Sequence, residues 1–149
     1  MKATVNPWTT SSVTLALAGI IIAGIGLYFI ALRPPLLPED VRYMDLSVAE
    51  LEAVGPRFAM WLTQVFRVLG GYALATGVLL VALAITAFRA RHPVAVAGAL
   101  VGGASSIGLM SVVNFTIGSD FRWALFACAL VWAVSLIAYG LESSRNDNR

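Results

Sequence analysis

The sequence predicts an all-α protein, a four-helix transmembrane bundle with a long, partly helical first extramembrane connection. Two observations carry that expectation. Hydrophobic residues make up 59 % of the 149 and charged residues only 12 %, against roughly a quarter charged in a soluble domain. The apolar residues are also gathered into four long blocks, so lipid rather than water is the expected solvent for most of the surface. A helix rises about 1.5 Å per residue, and roughly 20 residues cross a hydrocarbon core about 30 Å thick. All four blocks reach that length. Backbone in lipid must satisfy its own hydrogen bonds, so each block is expected to be a helix. The whole chain, 1–149, reads as a single integral membrane domain.

The first block, 13–32, follows a polar lead whose only charge is Lys2. It is longer than the ~7–15 apolar residues of a signal peptide and has no A-x-A pattern before Arg33, so it is read as a retained helix. Pro34, Pro35 and Pro38 end it and stiffen the exit. The connection 33–56 carries five acids: Glu39, Asp40, Asp45, Glu50 and Glu52. Within it, Ser47-Val48-Ala49-Glu50 has the form of a capping box, opening a short helix 48–54 that Gly55-Pro56 stops. The second span, 57–88, starts amphipathically, with Phe58, Trp61, Leu62, Val65, Phe66 and Leu69 interleaved at helical spacing with Arg57, Gln64 and Arg67. This span is longer than the bilayer core, so its start should rise out of the membrane and leave Arg67 at the interface. The last two spans, 94–117 and 122–141, are reached through five-residue turns at 89–93 and 118–122. Turns that short make the second, third and fourth helices antiparallel neighbours. Aromatic residues sit near the block ends, as in interfacial belts, and Trp132 alone lies mid-helix.

Orientation is nearly balanced by number. Lys2, Arg89, Arg91, Arg145 and Arg149 fall on the side of the termini; Arg33, Arg42, Arg57, Arg67 and Arg122 fall on the other. The terminal side is denser in positive charge per residue, which favours both termini in the cytoplasm of a cell carrying this chain in its plasma membrane. Nine arginines against one lysine, with abundant small apolar residues, suggest a bacterial source.

Most familiar chemistries lack their residues. His92 is the only histidine, so a bis-histidine haem is excluded. No apolar block holds a carboxylate, the usual proton-coupling group of small carriers. Three converging ligands for a catalytic metal are absent from the pattern. Cys128 is alone, so no intramolecular disulfide can form. A net charge of +2 without a basic cluster excludes a nucleic-acid partner. No cofactor is expected.

Two features remain. Gln64, Arg67, Asn114, Asp120 and Arg122 should form a polar layer at one depth beneath the acidic connection, with Arg67 placed to pair with Asp120 or with an acid of the connection. That layer either ties the connection to the bundle or lines a cleft for a lipid head group or anionic ligand. Gly98, Gly102 and Ser105 make a small-residue face suited to helix packing, within the bundle or between copies. The expected role is a non-enzymatic accessory, assembly or lipid-contacting component. Its partners would be the lipid bilayer and a second copy or another membrane protein. The alternative is an oligomeric carrier or channel for a small or lipid-like solute.

Overall fold

The structure, a computed structural model, describes residues 8–147. Lys2 and Arg149, used above to weigh orientation, lie outside the described residues. The described chain is all-helical, in the order α1 (Thr10–Ala31), α2 (Pro38–Met44), α3 (Val48–Val54), α4 (Pro56–Ile85), α5 (Pro93–Gly103), a π-helical turn (Ala104–Gly108), α6 (Leu109–Thr116) and α7 (Arg122–Asp147). Four stretches are long and apolar enough to cross a membrane: α1, α4, the continuous run Pro93–Thr116, and Arg122–Arg145. That is the signature of a multi-pass membrane protein. Large apolar side chains such as Leu17, Ile20, Leu79, Val101 and Ile137 cover their outer faces, which suits contact with lipid.

Each boundary has a local cause. Thr9 caps α1 by accepting from the Ser12 amide at 3.3 Å. The capping box expected at Ser47 is present: Ser47 accepts from the Glu50 amide, and the Ser47 amide donates to the Glu50 carboxylate at 2.8 Å. These bonds hold the Glu50 carboxyl below its usual range. Gly55, at φ +80, turns the chain into Pro56 at the start of α4. The sequence reading overlooked α2, whose first turn closes when Asp40 accepts from the Leu37 amide at 2.9 Å. It also ran the second span to 88, whereas α4 ends at Ile85. The chain then turns through Thr86 so that Phe88, fully buried, swings inward onto the ring of Tyr139.

The four long helices form a ring in which α1 lies between α4 and α7, and the α5–α6 run closes the circle. The tightest seam is α1 against α4, where Gly19 faces Gly77 and Gly26 faces Gly70. A Cβ on Gly77 would lie 2.5 Å from the Gly19 carbonyl oxygen, and one on Gly70 would lie 2.7 Å from that of Gly26. Both glycine pairs repeat after seven residues in one antiparallel register, which lets the two backbones touch. The expected small-residue face at Gly98 and Gly102 packs less closely, against Leu83 and Leu80 of α4. Gly98 and Gly102 meet only leucine methyl groups at ordinary contact distances, and exposed Ser105 bonds back to its own helix at Val101 O.

On the α5–α6 run, the buried positions Ala95, Ala99, Gly103, Ile107 and Ser111 fall at strict intervals of four. This is longer than the 3.6 residues of an α-turn, and the wide π-turn absorbs part of the drift. Gly103 is required there because the indole of Trp132 lies where a Cβ would be. The indole Nε1 donates to Ala99 O at 2.9 Å. Trp132 therefore locks α7 onto α5.

Candidate functional site

The bundle is unevenly filled along its length. In the half nearer the termini, Leu15, Ile22, Leu80, Ala84, Phe88, Ala95, Ala99 and Ile107 form a closed core. Its end is tied by a polar knot. Glu142 accepts from the amide of Ser11 at 3.1 Å and from its hydroxyl at 2.6 Å, and also pairs with Arg91. Arg91 donates in addition to Tyr139 O at 3.0 Å and lies over the Tyr139 ring. Three elements that are remote in sequence thus meet at one carboxylate.

The other half is hollow. A cavity of about 1020 Å³, open along part of its surface, is lined by the second half of α1, the first half of α4, the π-turn with α6, and the start of α7. It runs from Ile21 on α1 to Arg33 just past the end of that helix, about 15 Å of helix and close to the thickness of one leaflet's hydrocarbon. Its walls are mostly apolar, including Ile25, Phe29, Leu69, Met110, Val113 and Leu125. Ligand sites are commonly lined this way, with a few polar groups to fix orientation.

The connection forms the lid. Arg33, with its side chain almost buried, pairs with Asp40 at 2.9 Å and donates to Pro34 O at 2.9 Å. Its guanidinium lies over the Phe66 ring, 3.3 Å from the centroid, and beside Phe29. Stacking on two aromatic faces offsets part of the cost of withdrawing the charge from water. In the same first turn of α2, Glu39 is buried and accepts from the hydroxyl of Ser119 at 3.1 Å. Arg42 pairs with Asp120 at 3.1 Å, and both side chains are more than half exposed. Such a pair contributes about 0–1 kcal/mol. The lid is thus held by Arg33 beside α1 and α4, and by Glu39 at the turn before α7.

The polar layer expected from the sequence is only partly assembled. Asn114 lines the cavity, but its amide donates to Met110 O at 2.8 Å on its own helix. Asp120 takes Arg42 as partner, not Arg67. Arg67 is exposed, and among the described residues its hydrogen-bond partner is Gln64, at 3.4 Å. Arg122 donates to the carbonyls of Gly118 and Ser119 and so caps the same turn. The residues that hold the lid, Arg33, Glu39 and Asp40, were not singled out as a site. The three prolines around them signalled an ordered exit, but nothing local marks Glu39 as buried.

Among the described residues, no group of three or more His, Cys, Asp and Glu converges as a metal site. Comparison with known protein families, with curated proteins and with solved structures found no match.

Proposed function

We propose that the chain is a transmembrane four-helix bundle that acts without catalysis as a lipid-contacting component, holding the apolar body of a lipid-like molecule in one leaflet's depth. The observation that carries this reading is the contrast along the bundle axis: close packing in the terminal half, and an apolar cavity of about 1020 Å³ under an ionic lid in the other. The polar groups of the lid support it too, since they are engaged in holding α2 in place rather than paired for acid–base work. With the termini in the cytoplasm of the plasma membrane, as the arginines of the 89–93 turn favour, the cavity belongs to the outer leaflet.

The test is native mass spectrometry of protein released from a mild detergent, comparing wild type with Gly24→Phe. Gly24 lines the cavity, and a Cβ there meets nothing within 4 Å, so the ring grows into open space. Wild type should retain a bound lipid-like mass that the variant loses at unchanged melting temperature. Equal retention in both would defeat the reading.

A second reading, a carrier built from two or more copies, is favoured by the one-sided closure. The Ser11–Glu142–Arg91 knot seals the end opposite the cavity, as a gate would. Liposome flux that rises when the knot is weakened by Glu142→Gln would support it, and flux indistinguishable from empty liposomes would exclude it.

A further inference from the structure

The cavity has a chemical sense, and it is set by which hydrogen-bonding groups are left over once the protein's own bonds are made. The serine and threonine hydroxyls of the lining, and one N–H of the Asn114 amide, are given to protein acceptors. Thr76 donates to Tyr72 O at 2.9 Å, Ser105 to Val101 O at 2.7 Å and Ser106 to Gly102 O at 2.6 Å. Asn114 donates to Met110 O, and Ser119 to Glu39. What these residues still offer is mostly lone pairs, including the Asn114 Oδ1, beside one spare N–H on Asn114. The phenols of Tyr28 and Tyr72, also in the lining, can act either way.

Charge points the same way. Arg33 is the one cation of the lining, and it is already held by Asp40, by the Pro34 and Pro35 carbonyls and by two aromatic faces. Glu39 is the reverse case. It is 2 % exposed and lines the cavity, and its Oε1 accepts from Ser119. Among the described residues no donor reaches its Oε2. That oxygen keeps some accessible surface, so a ligand placed in the cavity can supply a donor.

We infer that the cavity selects an amphiphile whose head group brings hydrogen-bond donors and no negative charge, an ammonium above all, with Glu39 Oε2 as its main acceptor and the apolar walls around its chain. This rests on the reading of the cavity as a lipid-like site. It replaces the anionic head group that Arg67 and Asn114 suggested in the sequence, since Arg67 does not line the cavity and Asn114 presents an acceptor.

The experiment uses three probes with the same sixteen-carbon body: hexadecylammonium, hexadecanoate and methyl hexadecanoate. Full-length protein is placed in phosphatidylcholine nanodiscs. Occupancy is read as protection of Cys128, the chain's single cysteine and part of the lining, from N-ethylmaleimide. Hexadecylammonium should protect at concentrations at least tenfold below hexadecanoate. Glu39→Gln keeps an oxygen for the Ser119 hydroxyl and turns the second position into a donor, so the lid anchor survives. The preference should shrink tenfold or reverse. An unliganded labelling rate equal to wild type shows that the variant is folded, and Asn114→Leu serves as a second variant that lowers the preference without touching the lid.

Equal protection by all three probes, abolished by Gly24→Phe, would overturn the head-group inference while leaving the lipid-like site standing. Preferential protection by hexadecanoate in wild type would overturn it as well. No protection by any probe would remove the site itself, and this inference with it.

Discussion

Replacing Gly77 by alanine tests the α1–α4 seam on which the bundle is built. The added Cβ would stand 2.5 Å from the Gly19 carbonyl oxygen, whereas carbon–oxygen contacts settle near about 3.3–3.6 Å. The two backbones must therefore part by about 1 Å. A gap of that size forfeits roughly a quarter to a half of the dispersion attraction between the facing atoms, and overpacking of this kind costs about 1–3 kcal/mol. Gly71, on the same helix, supplies the control, since a Cβ there meets nothing within 4 Å. Gly71→Ala should be neutral or gain up to about 0.5–1 kcal/mol from the better helix former. Unfolding in mixed micelles under an SDS titration, followed by tryptophan fluorescence, measures both. The double variant Gly26→Ala with Gly77→Ala should cost less than the sum of its parts, because one parting of the helices relieves both clashes. A Gly77→Ala midpoint equal to wild type, or a Gly71→Ala loss as large as that of Gly77→Ala, would refute the close-approach argument.

Other outcomes follow from single contacts. Trp132→Phe removes the bond from Nε1 to Ala99 O and should cost about 0.6–1.5 kcal/mol by the same titration; Gly103→Ala, which drives a methyl group into the indole, should cost more. At the terminal end, Arg91→Leu leaves the partly buried Glu142 without its cation and should lose about 1–3 kcal/mol. A double-mutant cycle with Glu142→Gln should then recover a coupling of about 1 kcal/mol, and no coupling would mean that the ion pair is ornamental. In the connection, the Glu50 carboxyl titrates below its usual range because Ser47 donates to it. A depressed folded-state value means that its stabilisation of α3 is present near neutrality and is lost as pH falls through that value. Amide exchange at Glu50 and Leu51 should therefore quicken on acidification in wild type, and already be fast near neutrality in Ser47→Ala.

Much of the frame was legible in the residues. Four uncharged stretches of membrane-crossing length became four long helices, because in lipid the backbone has no other way to satisfy its polar groups. The short helix over Val48–Val54 followed from a capping box and a Gly-Pro stop, both of which act within a few residues. The site was much less legible. The polar layer was inferred from depth alone, and depth does not say which way a side chain points. Arg67 and Asp120 were placed at one level, but Arg67 is exposed, and Arg42 from the lid takes its place. The glycines at 19, 26, 70 and 77 did carry a readable signal, a shared seven-residue spacing on successive antiparallel helices. It was overlooked in favour of the shorter repeat at Gly98 and Gly102.

Length, hydropathy and punctuation are one-dimensional properties, and they were enough to determine the four long helices and the short helix over Val48–Val54. Which helix faces which, where the bundle is filled and where it is hollow, and the burial of Glu39 under a lid tied to Ser119 depend on contacts between residues as many as 131 positions apart. Those pairings are chosen by shape and by the demand that buried polar groups find partners. That selection is a property of the assembled bundle, and no local run of residues contains it.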